Sequence, residues 1–207
     1  METAPVQIVH HIDPEDETRA RFYALLARLY SSGPDAALLS ALGSSPAWPD
    51  DDASGLGAAW NRLILASRAM DPDASAQEYT DLFIGVGKSP VNLHASHWIS
   101  GFMMERPLAQ LRTALAELGL ARRPGATVLE DQLSALCETM RILIAGDGER
   151  RPEPVTVQRE FFEAQIAPWV FDCCNAICES PLANYYRCVG QFTTALMTVE
   201  RDSLVIA

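Results

Sequence analysis

The chain has 207 residues, 48% of them hydrophobic and 21% charged, which excludes a disordered chain and suits one domain with a sizeable core. The net charge of −11 argues against nucleic-acid phosphates as partners and favours basic ones, a cationic peptide being the simplest. The opening METAPVQIVHHIDPEDE has neither a basic nor an apolar block, no run reaches membrane-spanning length, and the five cysteines include no CxxC pair. These features predict a cytoplasmic protein with reduced thiols and no stable membrane insertion.

Residues 1–12 read as a flexible N-terminal arm, and 13–207 as a single all-helical domain. Asp13-Pro14-Glu15-Asp16-Glu17 is a helix start, with an Asp cap, Pro at the first helical position and acids in the first turn. Phe22, Leu25, Leu26 and Leu29 follow at helical spacing, and Gly33-Pro34 stops the run. A short helix over about 35–42 precedes the loop SSPAWPDDDASG. The next helix, about 56–70, ends at Asp71-Pro72, which starts another carrying Tyr79, Leu82 and Phe83 inward.

The stretch EYTDLFIGVGKSPVNLHASHWISG, residues 78–101, then breaks the helical pattern. It holds glycines, a proline, histidines and Trp98, and irregular segments on a rigid scaffold often carry binding contacts. Helix resumes near Pro107. Thr127-Val128-Leu129-Glu130 reads as a capping box opening a helix to about 144. Further helices are expected over about 156–167 and 170–179, with a last one capped by Ser180-Pro181. The fold class is all-α, a helical bundle of eight or nine helices. Helix periodicity leaves homodimerisation open.

Each candidate chemistry has a plainer competitor. His94 and His97 would share one face of a helix and could serve a metal-dependent enzyme, yet no third ligand accompanies them at zinc-site spacing. Cys173, Cys174 and Cys178 read as small core hydrophobes. Ser96 lacks a nucleophile elbow, and Gly85-Val86-Gly87-Lys88-Ser89 lacks phosphate-loop spacing. No catalytic residue, metal or cofactor is therefore assigned. Phe83, Trp98, Phe102, Met103 and Met104 can form an apolar groove beside Asp81, Glu105, Glu130 and Asp131, a surface for a peptide with arginines and an apolar stretch.

Three separated motifs resemble those of the TorD/DmsD/NarJ-type chaperones, the redox enzyme maturation proteins. Glu78-Tyr79-Thr80-Asp81-Leu82-Phe83-Ile84-Gly85 is similar to the family's E-[FY]-x-x-L-F-[VI]-G and is followed by a loop from Pro90 to Ser96. Glu130-Asp131-Gln132-Leu133 resembles E/P-D-H-L, and Phe161 through Trp169 resembles F-x-x-x-H-L-x-P-W. The chain departs at Asn92-Leu93-His94-Ala95-Ser96, where the family reads P-P-[WY]-x-S, and at Gln132 and Gln165, where it has His. The resemblance implies a TorD-like assembly chaperone and no enzyme. Its expected partners are the twin-arginine signal peptide, or the N-terminal region, and the apo form of a molybdoenzyme catalytic subunit, held until its cofactor is inserted. A NarJ-like variant would serve a membrane-attached, non-exported nitrate reductase subunit. The implied peptide-binding residues are Phe83, Pro90, His94, Ser96, Trp98, Glu130, Asp131 and Gln132.

Overall fold

The computed structural model describes residues 12–49, 54–85, 89–123, 125–148 and 150–206. The expected arm, Ile12 excepted, and Val86–Lys88 of the glycine-rich turn lie outside the described residues. The fold is all-α. Ten helices are described: α1 Pro14–Ser31, α2 Ala36–Gly43, α3 Leu56–Ala69, α4 Pro72–Tyr79, α5 Ala95–Ser100, α6 Arg106–Glu117, α7 Leu133–Ala145, α8 Val155–Gln165, α9 Val170–Glu179 and α10 Tyr185–Ile206. A π turn, Thr80–Ile84, continues α4.

Local chemistry sets most helix ends. Pro14 and Pro72 occupy first-turn positions, where a missing N–H costs nothing. Asp35 accepts from Leu38 N, and Asp71 accepts from Asp73 N and Ala74 N, so both cap by side chain. Gly146 follows α7 at φ 72°, and a Cβ there would lie 2.2 Å from the Arg150 carbonyl oxygen. Only glycine fits that reversal.

Three helix boundaries depart from the sequence expectation. One helix beyond the expected eight or nine is α5, inside the stretch read as irregular. The capping box at Thr127–Glu130 is not used, because Glu130 turns to Arg112 and α7 starts only at Leu133. Likewise α10 starts at Tyr185 rather than beside Pro181, and Leu182 lies outside it, 48% exposed.

The core lies between α1 and α7 on one side and α3, α9 and α10 on the other. Tyr23, Leu26, Tyr30, Leu136, Phe162, Trp169 and Phe192 are among its fully buried side chains. Among the described residues the buried side-chain polar atoms are paired, as burial demands, with Asp131 Oδ1 as the exception. Tyr30 Oη bonds to Thr193 Oγ1 at 2.9 Å, and Tyr186 Oη donates to the Leu29 carbonyl at 2.8 Å. Arg19 donates from two nitrogens to Glu200 (3.0 and 2.7 Å) and from one of them to Gln158 (3.0 Å), tying α1 to α10 and α8. Glu78 on α4 accepts the backbone N–H groups of Asn184, Tyr185 and Tyr186, closing the start of α10. Among the described residues no helix is long and apolar enough to cross a membrane.

Candidate functional site

The stretch after α4 is built from the π turn outward. The turn ends at Gly85, φ 61°, whose N–H donates to the Thr80 carbonyl at 2.8 Å. Widening one turn shifts the helical phase: Leu82 and Phe83 go inward, while Asp81 and Ile84 stay outside. Val91 N then donates to the Leu82 carbonyl at 3.0 Å and brings the loop back onto the bundle.

Asn92 is the hub of that loop. Its Oδ1 accepts His94 N at 2.9 Å, an Asx turn, and lies 3.0 Å from His94 Nδ1. Its carbonyl oxygen accepts the Trp98 Nε1 proton at 2.7 Å and faces the Cys173 Sγ at 3.7 Å. One residue thereby fixes the direction of both His94 and Trp98. Sequence reasoning placed Asn92 in the loop but gave it no role, although an Asn two residues before a helix cap is an Asx-turn signal.

Behind the hub, His94 pairs with Gln132 in an isolated antiparallel bridge. Asp131 lies there at 1% exposure, and its Oδ2 accepts from Ser96 N at 3.1 Å and from Ser96 Oγ. Burial pushes the His94 imidazole below its ordinary value, the Asp131 charge pulls it up, and His97 pushes it down again. The His97 ring packs edge-on to Trp98, with centroids 5.7 Å apart.

The expected site residues thus separate into four environments. Pro90 and Trp98 line one cavity of about 470 Å³, together with Asn92, His97, Phe102 and Met103. His94, Ser96, Asp131 and Gln132 meet behind that cavity as its support. Glu130 faces elsewhere, onto a cavity of about 320 Å³ between α6 and α7. There Arg112 grips it at 3.1 and 3.0 Å. Burial pushes the Glu130 carboxyl up, but the Arg112 hydrogen bond and the charges of Arg112 and Arg122 outweigh it, and the net shift is downward. Phe83 is a correction: it is 8% exposed, packed against Tyr79 and Tyr186 at ring distances of 5.2 and 5.0 Å, and belongs to the core.

The exposed large apolar side chains between residues 84 and 105 are Ile84, Ile99, Phe102 and Met104, at 57, 48, 70 and 70%. Phe102 and Met104 were expected; the two isoleucines were not. Met104 holds φ 57°, and among the described residues no other non-glycine has positive φ. Backbone strain of this kind clusters at functional sites. Asp81 and Glu105 are exposed carboxylates at the two ends of the segment.

Cys173 and Cys174 are fully buried, and burial pushes both thiols up, Cys174 to about 12. Among the described residues no group of three or more His, Cys, Asp and Glu side chains is arranged to hold a metal ion.

Comparison with known proteins places the fold and this site in context. A search of curated proteins gives no match. The family model described as nitrate reductase delta subunit matches residues 49–175, more than half of the chain, from the loop before α3 through most of α9. That span contains the π turn, the Asn92 hub, the Asp131 support and both cavities. The chain belongs to the nitrate reductase delta subunit family, the NarJ/TorD-type redox enzyme maturation chaperones that serve molybdoenzyme assembly.

Proposed function

We propose that this chaperone acts in the cytoplasm, binds the twin-arginine signal peptide of a molybdoenzyme catalytic subunit on the face from Ile84 to Glu105, and holds that subunit until its cofactor is inserted. The observation that carries the reading is Phe102, 70% exposed on the cavity it lines with Pro90, Trp98 and Met103, with Ile84, Ile99 and Met104 also exposed in the same stretch of chain. Such a patch suits an apolar peptide segment. Asp81 and Glu105 flank it, and the chain carries net charge −11, which suits arginines preceding that segment.

The binding face draws its energy from surface that is free, not from Phe83, which the core already uses. Burying a large apolar side chain contributes roughly 2 kcal/mol, less the costs of association. Long-range attraction speeds encounter and weakens with salt.

Calorimetric titration of twin-arginine peptides from candidate molybdoenzymes tests the reading. Binding is expected to weaken with salt, and Phe102→Ser with Met104→Ser should weaken it about tenfold or more without lowering Tm. If no such peptide binds, and the double variant matures its client as wild type does, the reading fails. A second reading is supported by the nitrate reductase description of the matching family: the client is a non-exported nitrate reductase subunit, recognised by an N-terminal region without paired arginines. Binding that survives replacement of both arginines by Gln would select it.

A further inference from the structure

The client-facing segment is fastened from behind. Ala95 N donates to the Asp131 carbonyl at 2.9 Å, and Leu133 N donates to the Leu93 carbonyl at 2.8 Å. To this short ladder the Asp131 side chain adds Ser96 N and Ser96 Oγ, both on Oδ2. Ser96 and Asp131 are 0 and 1% exposed. Asp131 Oδ1, equally buried, has no hydrogen-bond partner. Buried polar atoms are almost always paired, so a carboxyl left half-satisfied calls for an explanation beyond stability.

The helix it holds is α5, six residues long. A helix that short does not persist unaided. Its first free N–H groups need acceptors, and Asp131 supplies one to Ser96 N from 35 positions along the chain. Trp98 sits on that helix and forms one wall of the cavity, so the direction of α5 sets the direction of Trp98. The Ser100 hydroxyl returns to the Ser96 carbonyl at 2.7 Å, which carries the restraint to the end of the helix.

We propose that Asp131 is the positioning residue of the client-binding face: it anchors α5 through Ser96, aims Trp98, and does not itself touch the client. The role rests on the reading that this face takes the client. The unpaired Oδ1 makes the anchor one-handed. From residues 131–133 the segment is held by a single carboxylate oxygen and two backbone bonds, and it can re-aim for different peptides without breaking a fully satisfied network. A direct anionic contact would need this carboxylate at the surface, where Asp81 and Glu105 already are.

Hydrogen–deuterium exchange on the free chaperone tests the anchor with no client present, so its result stands whether or not a signal peptide is the ligand. Asp131→Ala should raise exchange over residues 92–100 about tenfold, with α3 and α10 unchanged. Ser96→Ala, which loses the hydroxyl and keeps the N–H, should raise it less, and the double variant no more than Asp131→Ala alone. Asp131→Asn keeps an acceptor for Ser96, so both loop protection and peptide affinity should stay near wild type.

Unchanged exchange over 92–100 in both Asp131→Ala and Ser96→Ala overturns the proposal. So does a native loop in Asp131→Asn with peptide affinity as poor as that of Asp131→Ala, since the lost charge would then be a client contact. Should Asp131→Ala fail to fold, Ser96→Ala and Asp131→Asn decide by the same readouts.

Discussion

Glu78 closes the helix that carries Tyr186. Its Oε1 accepts Tyr186 N at 2.8 Å and Asn184 N at 2.8 Å, while Oε2 accepts Tyr185 N at 3.0 Å. A capping residue is usually the neighbour of the helix it caps; this one comes from α4, more than a hundred positions earlier. The next residue, Tyr79, packs with Phe83 and Tyr186 in an aromatic cluster that joins the same two segments.

Glu78→Ala should therefore be costly. It leaves three helix-start donors without an acceptor at a site 8% exposed. With hydrogen bonds to a charged group contributing about 1.5–3 kcal/mol each and not adding fully, a loss of about 3 kcal/mol is expected in urea unfolding. Glu78→Gln, which retains one acceptor oxygen, should cost about half of that. A loss below about 1 kcal/mol in the Ala variant would mean that water replaces the cap.

Met104 offers a trade between stability and binding. A left-handed conformation costs an L-residue about 1–2 kcal/mol, and glycine relieves it at an entropic cost of about 0.4–1 kcal/mol in the unfolded chain. Met104→Gly is expected to stabilise the chain by roughly 0.5 kcal/mol in thermal unfolding and to weaken peptide binding. Loss of stability with unchanged affinity would make Met104 an ordinary turn residue.

His94 predicts a pH dependence of definite sign. Burial holds its imidazole below the ordinary value of 6.5, so as pH falls the unfolded chain takes up the proton first. Stability from the neutral ring is complete above that ordinary value and is lost as pH drops through it toward the native value. Urea midpoints at about pH 7.5 and about pH 5.5 should differ more in the wild type than in His94→Gln. Equal differences would remove His94 from the account.

Much of the fold is written locally. Gly33-Pro34, Asp71-Pro72 and Pro107 place helix ends by backbone chemistry that needs no tertiary context. What sequence could not give depends on partners far away. The start of α5 rests on Asp131, and the start of α10 rests on Glu78. Thr127–Glu130 has every local mark of a capping box, but Arg112 holds Glu130 and the helix begins six residues later than Thr127. Helical spacing turned Phe83 inward, and it is buried; its second assignment, to the peptide face, came from the apolar groove and the family motif, neither of which shows that Tyr79 and Tyr186 already occupy that ring. The apolar face was legible at Phe102 and Met104 because they sit in a break; Ile84 and Ile99 looked like ordinary helix residues.

The bonds between α1 and α10 carry a consequence for the order of events during synthesis. Arg19, Leu29 and Tyr30 find their partners at Glu200, Tyr186 and Thr193, separations of 181, 157 and 163 positions. The first helix leaves the ribosome long before the last exists, and its buried groups wait for nearly the whole chain. Folding of this kind is dominated by late, long-range closure. The buried side of α1 is therefore completed only when α10 arrives, and until then Arg19 and Tyr30 lack the partners that their burial requires.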